Sequence, residues 1–293
     1  MARDVYIHAG AHRTGTSSFQ LCLATNRDAL RDKGYDAGFP HRGGIDGGAL
    51  RLILKQRPKV KLSHDDWIAK MRADFHRQYA DASRPLLLSE ENIPGQMIQF
   101  YWGKFYPAAE DRLQVLSELL VSQPKHLLYV IRPYSELFVS AYRLRASGTR
   151  IAPFETYSDA FVSMDRGWPE LIDVMQRALQ PVRMTVVTYE QRGTSLELLG
   201  KLVPDLDLAG LTEPARSLNI SPTDAALQAI QARFASGEDL SRDACAALIE
   251  AHVDETDKRG VASFANTAAE QLDRRYQNDL GRIAAMPGVV CLT

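Results

Sequence analysis

Apolar positions along the chain fall into two kinds of run. Residues 5–9, the "PLLL" before Ser89, "HLLYVI" (His126–Ile131) and "VRMTVVTYE" around Val186 are short and continuous, as buried strands are. Elsewhere apolar residues recur every three or four positions, which predicts helices. Phe19, Cys22, Leu23 and Leu30 mark one helix, closed by Lys33-Gly34. Trp67, Ile68, Met71, Phe75 and Tyr79 mark a second, capped by Ser63, and Leu113, Leu116 and Leu120 a third, stopped by Pro124. A fourth starts near Ser135 and a fifth spans residues 169–180. From Ser221 onward the pattern predicts helices only, the first opened by Ser221-Pro222.

Strands that are apolar throughout and separated by helices predict a central parallel sheet covered on both faces, a three-layer α/β/α fold. No internal repeat or low-complexity linker interrupts the chain. The expectation is therefore one domain over residues 1–293, with its core in 1–190 and a mainly helical portion over 191–293. Ligands of such sheets sit outside the carboxyl ends of the strands, at helix N-termini. Three polar features fall there: the loop after Ala9, the acids after Leu88, and Arg132.

The loop reads "HAGAHRTGTSSFQ" over residues 8–20. A turn into a helix exposes backbone N–H groups, and the helix dipole adds positive potential. Gly15 lets the main chain approach an oxyanion, while Thr16, Ser17 and Ser18 add hydroxyl donors. From Gly10 to Ser17 the frame is that of a phosphate-binding P-loop, except that Thr16 stands where the lysine belongs. The positive charge sits instead on Arg13, beside Thr14.

Composition narrows the setting. The 293 residues are 45% hydrophobic, enough for a large core, and a formal net charge of -1 argues against wholesale nucleic-acid binding. Cys22, Cys245 and Cys291 are scattered, without disulfide-framework or zinc-ligand spacing. No stretch reads as a secretory signal or as a membrane span. A soluble, cytoplasmic protein without membrane insertion is expected.

"IHAGAHRTGTSSFQ" resembles the 5′-phosphosulfate loop of sulfotransferases that use 3′-phosphoadenosine 5′-phosphosulfate (PAPS), bacterial members with G-T-H-K-T-G-T-T-S above all. "IRPYSELFVSAYRL" is similar to that family's 3′-phosphate element, an arginine ending a strand with a serine eight residues later, here Arg132 and Ser140. The resemblance runs more weakly through "LLLSEEN" and "VVTYE", about the first 190 residues. It implies a P-loop-type fold, PAPS as donor, no metal requirement, and a hydroxyl or amine acceptor such as a glycan or small molecule.

It also implies roles. Arg13, Thr14, Gly15, Thr16, Ser17 and Ser18 hold the phosphosulfate; Arg132 and Ser140, with Arg143 one turn further along, hold the 3′-phosphate. Glu91 aligns with the family's S-x-E-N glutamate and is expected as general base, with Glu90 behind it. His8 and His12 compete for that role. The family has lysine at the Arg13 position. Arginine keeps the charge, stays protonated and presents a planar fork, so electrostatic stabilisation is expected of it.

Two rival readings keep the same loop. One is a P-loop kinase or NTPase, with "LLLSEE" as its acidic strand. The other is a degenerate module that binds PAPS without turning it over. Weaker features are the basic run Arg51, Lys55, Arg57, Lys59 and Lys61, a solvated face or a lure for an anionic acceptor. "QFYWGKFY" (residues 99–106) reads as core, acceptor stack or lid; Tyr189-Glu190 and Arg259 are further candidates near the nucleotide.

Overall fold

In the computed structural model, the described residues are 3–41, 43–54, 62–79, 83–120, 122–215 and 221–293. The strands are β1 (Val5–His8), β2 (Asp36–Gly38), β3 (Leu86–Ser89), β4 (His126–Ile131), β5 (Met184–Thr188) and β6 (Val289–Leu292). They form one sheet, ordered β2-β3-β1-β4-β5-β6, and every pairing is parallel. The helices are α1 (Thr16–Thr25), α2 (Arg27–Asp32), α3 (His64–Gln78), α4 (Ala109–Leu120), α5 (Tyr134–Ala146) and α6 (Glu155–Val162). After them come α7 (Trp168–Leu179), α8 (Ser195–Leu202), α9 (Asp224–Ala235), α10 (Arg242–Ala251) and α11 (Asn266–Ala284).

Strand alternation sorts the apolar side chains into two cores. Ile7, Leu88, Leu127, Tyr129 and Val186 face one way, against α4, α5 and α7. Leu87, Leu128, Val130 and Val187 face the other, against Phe19 and Leu23 of α1 and Leu198, Leu199 and Leu202 of α8. All six residues of β4 are buried. At roughly 1.5–3 kcal/mol for each large aliphatic side chain removed from water, the strand is fixed by both layers. The fold is a three-layer α/β/α sandwich, as the apolar runs require. Among the described residues no helix is long and apolar enough to cross a membrane.

Three local expectations are corrected, and β2 is a strand the apolar pattern did not predict. The C-terminal portion is not helical throughout, because β6 extends the sheet, Met184 pairing with Val289 and Val187 with Leu292. Its sequence, VVCL, is a short apolar run, and as an edge strand its four residues are only half-buried or exposed. β2, "DAG", contains no large apolar residue; the main chain of Leu86–Leu88 pairs with it. The first helix is two, broken at Asn26, whose side chain bonds Cys22 O at 2.9 Å and bridges to the main chain of Thr212. The helix expected at Ser221-Pro222 starts at Asp224, because Thr223 Oγ1 accepts the Ala226 N–H and caps it. Ser63 does cap α3, accepting from Asp66 N.

Candidate functional site

Every strand runs the same way, so the carboxyl ends of β1, β3, β4 and β5 share one edge of the sheet, where a cleft of about 710 Å³ opens. The chain leaving β1 stays zipped to β4, Ala9 N and Ala11 N each donating to a β4 carbonyl at 3.1 Å. Thr14 Oγ1 then donates to Ala11 O at 2.6 Å and closes the loop on itself. Arg13 (φ 64°) and Gly15 (φ 82°) both take the left-handed conformation, which a non-glycine residue such as Arg13 adopts only under constraint. Gly15 is the N-cap of α1 and offers no side chain to it. The opening amides of a helix have no intrahelical acceptor and carry the positive end of its dipole; here Gly15, Thr16, Ser17 and Ser18, which bear them, line the cleft. Thr16 lines the cleft, yet its buried Oγ1 has no hydrogen-bond partner.

Four arginines line the cleft. Arg13 donates through Nε to Ser140 Oγ (2.8 Å) and through Nη2 to Ser221 Oγ (3.0 Å). Burial lowers its pKa, and the nearby Arg132 lowers it further, against Glu91 and Tyr189. Arg132 donates to Arg13 O at 2.7 Å and Glu136 Oε2 at 2.6 Å, and lies 4.8 Å over the Tyr189 ring. Arg143 is paired with the Asp224 carboxylate and Pro222 O, which fixes the start of α9. Arg192 reaches Gly15 O at 3.2 Å and Gly193 O at 2.9 Å, and burial lowers its pKa too. A methyl group on Gly15 would lie 2.9 Å from Arg192 Cζ.

The two glutamates after β3 diverge. Glu91 lines the cleft. Glu90 is buried, and its Oε1 accepts from both Asn92 N (2.8 Å) and Asn92 Nδ2 (2.9 Å), outside the cleft lining. The same Asn92 presents Oδ1 to His12 Nε2 at 3.1 Å, while His12 Nδ1 lies 3.1 Å from Tyr106 Oη. Both imidazole nitrogens of His12 are thus engaged, although the residue borders the cleft. His8 is fully buried below the loop, packed on Phe19 with ring centroids 4.4 Å apart, and does not line the cleft.

Of the residues expected from sequence, Arg13, Gly15, Thr16, Ser17, Ser18, Glu91, Arg132, Ser140, Arg143 and His12 meet in one cleft. Thr14, Glu90 and His8 lie behind it as supports. Tyr189 lines it under Arg132; Arg259 borders a second cleft and is bonded to Glu255 and Asp257. In "QFYWGKFY" Phe100, Phe105 and Tyr106 are fully buried, Phe100 stacked on Phe105 and Tyr106 edge-on to both, whereas Trp102 is 66% exposed. Lys55, Arg57, Lys59 and Lys61 lie outside the described residues.

Sequence reading missed Arg192, Ser221 and Glu213, all of which line the cleft. Arg192 had a signal: it follows β5 by four residues, at the same sheet edge as the other strand ends. Ser221 and Glu213 had none, for they sit in connections outside any strand or helix.

The site can therefore hold a ligand with more than one anionic group, with a carboxylate, Glu91, within the same cleft. Among the described residues no group of three His, Cys, Asp or Glu side chains is placed to hold a metal ion. Compared with known proteins, the chain matches no protein-family model and no curated protein.

Proposed function

We infer that the protein is a PAPS-dependent sulfotransferase, moving a sulfuryl group to a hydroxyl or amine acceptor. One observation carries the reading: Arg13 and Arg132 flank the uncapped start of α1 in a single cleft that also holds Glu91. PAPS carries a 5′-phosphosulfate and a 3′-phosphate, so it needs two linked anion subsites. The α1 amides with Thr16, Ser17 and Ser18 serve the first; Arg132 and Ser140, with Arg143 at the far end, serve the second.

Arg13 joins the two subsites, since its guanidinium already reaches Ser140 from the loop. In the reaction the acceptor oxygen or nitrogen attacks sulfur, and the bond from sulfur to the 5′-phosphate oxygen breaks. The acceptor proton passes to Glu91, and adenosine 3′,5′-bisphosphate leaves. Such transfers through loose transition states depend on positioning and charge stabilisation. Arg13 and the helix start supply that charge where it develops on the leaving phosphate; a well-placed donor is worth about 3–4 kcal/mol in comparable oxyanion sites. The cysteines at 22, 245 and 291 are free thiols, which suits a cytoplasmic setting.

Adenosine 3′,5′-bisphosphate in the presence of a chelator should raise the melting temperature by mass action, and labelled sulfate from PAPS should reach an acceptor in a broad hydroxyl and amine panel. Stabilisation by ATP with Mg²⁺ and not by the bisphosphate would identify a kinase instead. PAPS binding without transfer to any acceptor would identify a binding module.

A further inference from the structure

Under the loop lies a line of polar side chains that neither the anion subsites nor the base uses. Gln20 Nε2 donates to Ser89 O at 3.1 Å and approaches Ser89 Oγ at 3.5 Å. Ser89 Oγ lies 3.0 Å from His8 Nδ1, because the parallel register sets His8 beside Ser89. All three side chains are fully buried. The Ser89 carbonyl dictates that Gln20 turns its amide N–H₂ toward Ser89. With the Gln20 amide presented as a donor, the Ser89 hydroxyl is available to donate to His8 Nδ1, the arrangement in which the imidazole proton stands on Nε2.

That Nε2 has no protein partner, and neither has Thr16 Oγ1. Both atoms press on the same point. A methyl group at Gly10 would sit 2.9 Å from His8 Nε2 and 2.7 Å from Thr16 Oγ1, so glycine alone keeps the space between them open. One atom is a buried imidazole nitrogen without a partner; the other is the buried hydroxyl of a residue that lines the anion cleft.

We propose that His8 is a positioning residue whose Nε2–H is donated to Thr16 Oγ1, turning the Thr16 hydroxyl outward as a donor to the oxyanion seated at the start of α1. A small adjustment of the Thr16 side chain closes the inner bond when the anion arrives. Thr16 stands where a P-loop lysine would bring a charge, and the relay from Gln20 through Ser89 and His8 supplies an oriented neutral donor instead. Bonds in such a series polarise one another toward the acceptor. The ligand's identity rests on the sulfotransferase reading; the order of the inner hydrogen bonds is a property of the free protein.

Two measurements on the full chain test this. Long-range ¹H–¹⁵N spectra of the free protein should show His8 as the Nε2–H tautomer at pH 7 and still at pH 5. A proton on Nδ1, or an imidazolium at pH 7, overturns the relay. The second is a double-mutant cycle on calorimetric Kd values for adenosine 3′,5′-bisphosphate. Thr16→Val and His8→Leu should each weaken binding about tenfold alone, with His8→Leu adding less than about twofold once Thr16 is Val. His8→Gln, which can donate from near the Nε2 position, should restore most of the loss. Equal losses from His8→Leu in both backgrounds overturn the proposal. Should His8→Leu not fold, Gly10→Ala fills the same gap and should weaken binding in the Thr16 background only. Wild-type protein that binds no bisphosphate would sink the functional reading, and the His8 tautomer would still decide the relay.

Discussion

Acid should destabilise this protein in a window set by His8. The imidazole is fully buried, and burial, helped by the nearby Arg192 charge, pulls its pKa down to about 3. In the unfolded chain it titrates near its ordinary value of about 6.5. The native state therefore holds a neutral ring that the unfolded state would protonate. The resulting stability is complete above about pH 6.5 and is lost progressively as pH falls from there through about 3. At pH 5 the gap to the unfolded value is about 1.5 pH units, and at about 1.4 kcal/mol each the loss is about 2 kcal/mol. That is a large fraction of a typical net stability of about 5–15 kcal/mol. His126 acts in the same direction: burial lowers its pKa, against its bond to Leu202 O. Carboxylates held low by arginine, Glu170 and Asp224 among them, begin to lose their contribution only near and below their ordinary carboxylate range, in the lower part of the His8 window, so a comparison at pH 5.0 is dominated by the histidines. Urea denaturation of wild type and His8→Gln at pH 7.5 and pH 5.0 isolates the term. Wild type should lose about 2 kcal/mol more than the variant at unchanged m-value. Parallel losses in the two proteins would refute the reasoning.

The cleft makes further commitments. Arg132→Ala should weaken adenosine 3′,5′-bisphosphate about 100-fold by calorimetry, the scale of a charge-assisted contact to phosphate. Glu91→Gln should leave that Kd within about twofold while lowering turnover by at least about 100-fold; unchanged turnover removes Glu91 from the mechanism. Gly15→Ala should lower the melting temperature by roughly 2–8 °C, from about 1–2 kcal/mol of left-handed strain together with the close approach to Arg192. Asp224→Asn should cost about 1–3 kcal/mol in urea, because Arg143 is left without its buried carboxylate, and should hasten proteolysis around α9.

What the sequence disclosed follows from which forces act locally. β4 was legible because every residue of "HLLYVI" is buried, and α3 because Ser63 caps it within three residues. β2 was not, because a neighbour's main chain specifies an edge strand and "DAG" needs no pattern of its own; β6 is a four-residue apolar run, VVCL, too short to stand out beside the helical periodicity before it. The site divides the same way. Thr16 and Arg132 stand next to a strand end or helix start, so chain position alone places them at the cleft. Glu90 and Glu91 are adjacent, and only the Asn92 contacts decide which carboxylate turns inward. Likewise His8 and His12 read alike as candidate bases, yet the sheet register gives one to Ser89 and a loop contact gives the other to Asn92.

On the proposed function, the arginines account for how such a cleft would grip a doubly anionic ligand. Burial and the charge of Arg132 both disfavour the Arg13 guanidinium, yet arginine stays protonated through any accessible pH. The free protein must therefore hold two like charges close together, one of them stripped of much of its water. It does so by giving them fixed acceptors: hydroxyls for Arg13, and Glu136 with the Arg13 carbonyl for Arg132. An incoming phosphate removes the repulsion and meets donors that are already oriented, so little side-chain freedom remains to be lost on binding. Lysine in place of Arg13 would satisfy the charge but not the forked contact to Ser140 and Ser221. Arg13→Lys should accordingly bind the bisphosphate more weakly than wild type, by a factor that changes little with ionic strength, because both side chains carry the same screened charge and only the fork differs. Equal affinity of the two proteins across salt would show that the fork contributes nothing and that charge alone draws the ligand in.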